Sequence, residues 1–324
     1  MQSPKPIASL ALDLDNKWSY MKTHGDPGWE RFPSYLDVLV PRILNLLKDL
    51  KLRITFFIVG QDAALDRNRD LLRCISAAGH EIANHSFHHE PWMHLYSKEK
   101  VKTEIALAEE HIERATGQRP LGFRGPGYSF SKLVLQELVR RGYHYDASTF
   151  PNLLAPLIRA CYLQTAQLTA EQRRQRLALG GTLRAALLPI RPYRWQMNEG
   201  QIIEIPVTTL PFFRIPIQVS YLMCLRVFSP TLALRYFNLA LRLCRLTVVQ
   251  PSLLLHPTDF LGCDDVQDLS FLPGMSLPSA KKMEFVAEIL RRFSSSFTIL
   301  TLQQYAFQVS QMSTLANVEP TSNG

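Results

Sequence analysis

Residues 53–59, RITFFIV, form an unbroken run of β-branched and aromatic residues, the pattern of a strand buried on both faces. Outward from it, residues 68–78 (NRDLLRCISAA) fit a helix closed by Gly79 just past its end, and residues 80–84 (HEIAN) fit a short strand. Upstream, residues 7–14 (IASLALDL) read as a strand and residues 35–52 as a helix, started or kinked at Pro41. Downstream, Ser97 caps a helix with Val101, Ile105, Ala108 and Ile112 on one face, ending at Gly117. Residues 120–124 fit a strand, Ser131 caps a helix ending at Gly142, and residues 143–147 fit another strand. Repeated β-then-α units imply parallel strands with right-handed crossovers, hence an α/β barrel or a doubly wound sheet.

The chain has 324 residues, of which 46% are hydrophobic and 20% charged. That composition can bury a sizeable core and excludes a disordered chain. Lys and Arg outnumber Asp and Glu by 36 to 28, for a net charge of +8. No stretch of about 20 apolar residues lacks charge, so no ordinary transmembrane helix is expected. The opening MQSPKPIASLALDLD has no apolar run ahead of a small-residue cleavage site, so no signal peptide and a cytoplasmic location are expected. Cys74, Cys161, Cys224, Cys244 and Cys263 show no paired spacing and read as reduced packing residues.

Residues 150–250 break the β-α rhythm. Arg159 to Arg194 holds seven Arg and one acid, Glu171, and from Ile205 to Thr258 there is no acid, only Arg214, Arg226, Arg235, Arg242 and Arg245. Strand signals resume at 202–207 and 252–256, followed by a helix over 279–293 and a strand over 297–301. The expectation is one barrel-like domain over residues 1–310 with an insertion-like segment at 150–250, and a loose polar tail over 311–324. Residues 205–258 hold too many Leu, Phe and Tyr for solvated helices. They read either as a helix pair closing the core or as a lipid-binding surface, apolar with Arg flanks. Nucleic acid is set aside, because the Arg residues sit among aliphatics instead of forming a polar stripe.

The unusual polar residues share one address. Asp13 and Asp15 end the first strand, His85, His88 and His89 follow the third, and Arg124 follows the fourth. Asp146 ends the fifth, and His256 ends a late apolar strand. In a parallel barrel those carboxyl ends form the face where active sites are built. His85 and His89 are four apart in HSFHH, so a helical turn would let both imidazoles grip one ion, with Asp15 as an oxygen ligand. Such a set leaves coordination positions open for water and a substrate carbonyl. Alone, HSFHH reads better as a polar loop with ordinary histidines; the DLD upstream reverses that and favours the ion. Asp13 is then free to act as general base, with Arg124 either pairing with it or forming a surface salt bridge. The FRGPGYS turn either aims the Gly127 N–H at an oxyanion or is a plain turn. His256 is a general acid for a leaving nitrogen or a satisfied core histidine. Asp146 orients an imidazole or caps a turn.

In this order the motifs resemble those of the polysaccharide deacetylase family, carbohydrate esterases that share the chitooligosaccharide-deacetylase homology domain, over roughly residues 7–150 and 250–302. The resemblance implies that Asp13 in ALDLDN is the base and Asp15 a metal ligand. It matches H[ST]xxH at His85, Ser86 and His89, leaving His88 as a neighbour. It matches R-x-P at Arg124 and Pro126, the fourth motif at Asp146 in YDAS, and L-x-H at Leu254 and His256. Leu14 splits the aspartates, as in members that deformylate lipid-linked amino sugars. Gly127 stands where an aromatic is frequent, with Tyr128 one place later, so the sugar-binding floor formed with Pro126 differs while the backbone donor is kept. The family implies a distorted (β/α) barrel of about seven strands. It also implies a divalent metal, most often zinc with Co, Ni, Fe or Mn as the others, and hydrolysis of an acyl group on a sugar.

The leading expectation is a metal-dependent hydrolase that removes an N-acetyl or similar acyl group from an amino sugar, in a glycan or lipid-linked, with peripheral contact to an anionic inner membrane face. A deformylase or other C–N hydrolase is the second reading. A catalytically silent carbohydrate- or membrane-binding module is the third, and it would need neither proton donor nor acceptor.

Overall fold

The computed structural model describes residues 4–154, 183–272 and 274–320. Its strands are β1 (Ile7–Leu14), β2 (Thr55–Ile58), β3 (Glu81–Asn84), β4 (Gly122–Phe123), β5 (Tyr145–Asp146), β6 (Tyr193–Met197), β7 (Gly200–Glu204), β8 (Ser252–Leu255), β9 (Thr298–Leu300) and β10 (Ala316–Val318). The run β7-β5-β4-β3-β2-β1-β8 is parallel throughout. Past β7, Val207 N–H donates to the Thr149 carbonyl at 2.9 Å and Thr208 N–H to the Ser252 carbonyl at 3.1 Å. The chain leaving β7 therefore reaches β8 and draws the two ends of the run together. The result is the expected distorted barrel of seven parallel strands.

Strand alternation sorts the side chains. Leu10, Leu12 and Leu14 of β1 join the large cluster under the surrounding helices, while Ala11 joins Phe57, Ala83 and Tyr145 inside the ring. The helix Leu302–Ser310 plugs that interior with Leu302, Tyr305, Ala306 and Val309. Because the period is two, Asp13 lies on the inner face with Ala11, and Leu14 between the aspartates packs outward into the core.

Several helices follow the sequence signals. Ser97 and Ser131 accept from the Lys100 and Val134 N–H groups, and Gly79, Gly117 and Gly142 end their helices at φ of 80°, 76° and 73°. The helix expected over 35–52 runs from Leu36 to Asp49, with Pro41 inside it rather than at its start.

Other parts depart from expectation. β6 pairs antiparallel with β7 as an added hairpin outside the ring. The tail expected to be loose supplies β10, which pairs in parallel with β6. Its side chains are mostly exposed, so backbone hydrogen bonding to a sheet edge orders it where composition offered no burial. Within the basic segment, the helices Val219–Phe228 and Pro230–Leu246 pack Leu222, Met223, Ala233, Phe237 and Cys244 into the main core. The Arg-rich stretch from Arg159 to residue 182, with Glu171 and Cys161, lies outside the described residues. Cys74, Cys224, Cys244 and Cys263 are free thiols.

Candidate active site

The loop after β1 is pinned before it offers any ligand. Asn16 accepts from the Lys17 N–H at 2.8 Å, capping the helix Lys17–His24, and donates to Asp62 Oδ1 at 2.7 Å. Tyr35 Oη donates to the Asp15 carbonyl at 2.5 Å. Asp15 Oδ1 then lies 2.9 Å from His89 Nε2 and 3.3 Å from His85 Nε2.

His85 and His89 converge without a helix. HSFHH is a bend in which Ser86 and His89 take left-handed φ of 63° and 53°, so the helical turn expected from the spacing is corrected. Buried Glu104 holds the bend by accepting from the Phe87 and His88 N–H groups at 2.9 and 2.6 Å. His88 turns away, its Nδ1 2.7 Å from Glu104 Oε2.

The donor set fits a cation. The ligand atoms of Asp15, His85 and His89 lie within 4.8 Å of one another. Asp15 Oδ1 and His89 Nδ1 are buried with no hydrogen-bond partner among the described residues. His85 Nδ1 lies 2.7 Å from the Arg124 carbonyl, which can only accept, so Nδ1 carries the proton and Nε2 points its lone pair at the cluster. Burial pushes the Asp15 carboxyl up, but His89 and His85 beside it win and hold it well below the usual carboxylate range. Burial likewise opposes charge on His85, yet Asp13 and Asp15 raise its pKa. The second proton of a charged His85 would sit on Nε2, where a cation would have to displace it, so uptake weakens as pH falls.

Asp13 sits beside this cluster. Its Oδ1 accepts from Arg124 Nη1 at 2.6 Å, and both residues are buried, so the pair is no surface salt bridge. Arg124 is fixed over the Phe57 ring at 4.2 Å and donates from Nε to the Ala147 carbonyl at 2.9 Å. Asp13 Oδ2 lies 4.0 Å from His85 Nε2 and 3.9 Å from His256 Nε2. A cleft of about 220 Å³ is lined by Asp13, Asp15, His85, His89, Gly127, Tyr128 and His256, with Tyr20 and Leu272 among the others.

The turn after β4 supplies a backbone donor. Gly127 has φ of 58°, lines the cleft, and its N–H meets no acceptor among the described residues. A Cβ there would stand 2.8 Å from the Pro91 Cβ, which explains the glycine. Tyr128 leans its ring on Phe150 at 4.8 Å and donates from Oη to Gln218 at 2.9 Å.

Asp146 ends β5 as expected but does not take the role expected of it. It neither lines the cleft nor holds an imidazole among the described residues. It stands opposite Glu204 across β5 and β7. Burial, then the Glu204 charge, pushes its carboxyl well above the usual range, and burial raises Glu204 too. Two buried carboxyls side by side cannot both ionise cheaply. Ser148 Oγ donates to Asp146 Oδ1 at 2.5 Å and accepts from the Gly125 N–H at 2.8 Å. Asp146 thus acts on the Gly125–Tyr128 turn from behind.

Two residues were missed by the sequence reading. Ser220 Oγ lies 3.0 Å from His256 Nδ1 and donates to Asp259 Oδ1 at 2.9 Å, while Asp259 Oδ2 accepts from the His256 N–H at 2.8 Å. Asp259 carried a local signal in HPTD, an acid three residues after a turn-starting residue. Ser220, 36 positions away in an apolar helix, carried none.

Residues 26–145 match the family model described as polysaccharide deacetylase. Over that region the chain is similar to the polysaccharide deacetylase family. The match stops short of Asp13, Asp15 and His256, which only the fold brings in. The chain is 29% identical over 120 residues to a peptidoglycan deacetylase of Helicobacter pylori, covering 37% of this chain and 40% of the relative. It is 33% identical over 110 residues to the peptidoglycan-N-acetylmuramic acid deacetylase of Bacillus subtilis, covering 34% of this chain and 41% of the relative. To a peptidoglycan-N-acetylglucosamine deacetylase of Bacillus cereus it is 33% identical over 143 residues, covering 43% of this chain and 61% of the relative. The chain thus spans about two fifths to three fifths of these relatives. A solved structure from Mycobacterium smegmatis, provisionally described as a polysaccharide deacetylase, aligns over 99% of this chain and 95% of its own at a TM-score of 0.63 and 20% identity, a likeness of fold.

Proposed function

We propose that the protein is a metal-dependent hydrolase that removes an acyl group from the nitrogen of an amino sugar. The observation that carries this is the position of Asp13. Its free oxygen lies 4.0 Å from His85 Nε2 in the cation cluster and 3.9 Å from His256 Nε2. A proton acceptor and a proton donor therefore flank one cleft beside a two-imidazole, one-carboxylate set, an arrangement that a binding module does not need.

A divalent ion held by Asp15, His85 and His89, zinc being our first choice for this nitrogen-rich set, would activate a water and polarise the amide carbonyl. Asp13, held by Arg124, takes the proton of the attacking water. The Gly127 N–H donates to the oxyanion as the carbonyl carbon becomes tetrahedral. His256 Nε2 gives a proton to the nitrogen as the C–N bond breaks, which turns a poor leaving group into a free amine.

The names of the relatives support an N-acetylated amino sugar in a glycan. The Asp-Leu-Asp spacing and the acid-free segment from residue 205 to 258 support a lipid-linked form met at the cytoplasmic face of a membrane. An acyl-release assay on N-acetylglucosamine oligosaccharides and on glycolipids tests the reading, run beside Asp13→Asn. Acetate from wild type and little from the variant is the expected result. Formate alone would assign the deformylase reading. A bound metal with no turnover on any acylated glycan, and ligand binding equal in both proteins, would assign a silent binding module.

A further inference from the structure

The helix Pro230–Leu246 has two unlike faces. Ala233, Phe237, Ala240, Leu241 and Cys244 are buried. On the outer side Leu232, Arg235, Leu239, Arg242 and Leu246 are all exposed, at steps of three, four, three and four residues. That spacing keeps them on one ridge, alternating leucine and arginine along its length. The leucines are far from buried, at 53%, 49% and 79% exposure, and the ridge is flanked by Phe228 at 85% and Val248 at 72%. Phe212 and Phe213 stand exposed on the loop whose Leu210 and Ile217 pack against the same helix. No ion pair holds Arg235, Arg242 or Arg245 among the described residues, and no acid occurs from residue 205 to 258.

We propose that this ridge docks the protein flat on an anionic phospholipid surface. Leucines beside arginines suit such a surface: the aliphatic bodies enter the headgroup layer while each guanidinium reaches back to lipid phosphate. A second copy of this chain fits poorly, because pairing ridge on ridge would bring Arg235 and Arg242 of two +8 chains together with no acid to meet them. A spanning mode is not offered either, since among the described residues no helix is long and apolar enough to cross a membrane. The preceding helix Val219–Phe228 joins the ridge to the cleft: it carries Ser220 against His256 and ends on Phe228. The inference deepens the reading of a lipid-linked substrate and rests on it for its setting, but binding to lipid needs no turnover.

The test is co-sedimentation of the full chain with phosphatidylcholine–phosphatidylglycerol vesicles and with phosphatidylcholine alone, without substrate. Wild type should partition to the mixed vesicles only. Arg235→Gln with Arg242→Gln should weaken that by about 30-fold, at roughly fivefold per arginine. Leu239→Ser with Leu246→Ser should weaken it about tenfold or more. Acyl release from a soluble oligosaccharide should be unchanged in both, which separates failure of docking from failure of the hydrolase reading. Equal recovery with both vesicle types, no recovery with either, or full binding by the arginine variant would overturn the proposal. Self-association abolished by Leu239→Asp, with no lipid binding, would instead assign the ridge to a second copy.

Discussion

Ser220 Oγ stands between His256 Nδ1, 3.0 Å away, and Asp259 Oδ1, 2.9 Å away. A carboxylate can only accept, so the Ser220 proton goes to Asp259 and its oxygen accepts from His256 Nδ1–H. The imidazole is thereby locked with Nε2 facing Asp13 and the cleft. A hydrogen bond to a charged group is worth about 1.5 kcal/mol or more, so Ser220→Ala should lower kcat about tenfold with KM little changed. Ser220→Thr should restore most of it. Nitrogen chemical shifts of the His256 ring read the tautomer directly, and an unchanged tautomer in Ser220→Ala would remove this role.

Base and ligand should separate cleanly. Asp15→Asn or His85→Ala should abolish stoichiometric metal uptake, measured by elemental analysis after dialysis, and acyl release with it. Asp13→Asn should keep the metal and lose on the order of 10²–10⁴ in rate, as should His256→Ala. An Asp13 variant that binds no metal would move Asp13 into the ligand set.

Asp62 makes stability depend on pH. It is buried under Asn16 and Trp18, and burial raises its pKa to about 7 despite those hydrogen bonds. The folded state therefore keeps a proton that the unfolded chain releases near the ordinary carboxylate pKa of about 4. Stability from this group is complete below about pH 4 and falls as pH rises through about 7, by a few kcal/mol in order of magnitude. Asp62→Asn, which still accepts from Asn16 and Trp18, should flatten urea-unfolding stability over that window. The same slope in the variant would place its origin elsewhere.

Gly125 is sterically required. A Cβ there would lie 1.9 Å from the Ser129 carbonyl oxygen, a backbone atom that cannot yield alone. Gly125→Ala should cost about 1–3 kcal/mol in unfolding free energy. It should also cut acyl release more than metal uptake, because the turn carries the Gly127 N–H. Wild-type activity in a folded Gly125→Ala protein would argue against that N–H as the oxyanion donor.

Much of the fold was legible from local pattern. RITFFIV, the Ser97 and Ser131 caps and the glycines past helix ends act within a few residues, so sequence order alone dictated the β-α units and put Asp13, His85, Arg124 and His256 at strand ends. Long-range pairing was not legible. The β6 and β10 additions rest on backbone bonds to distant partners, which composition does not encode.

At the site the same division holds. The Asp-Leu-Asp alternation and the H-S-F-H-H spacing by themselves determined that Asp13 and Asp15 share one strand end and that His85 and His89 share one short loop, because a period of two and a four-residue spacing are local properties. Only the tertiary structure decided that the bend is left-handed rather than helical, held by Glu104 from another element. It alone gave Asp146 a carboxyl for a partner and made Ser220 the link to His256. Those outcomes depend on which strands and helices become neighbours, and burial sets the proton on each group only after that packing exists.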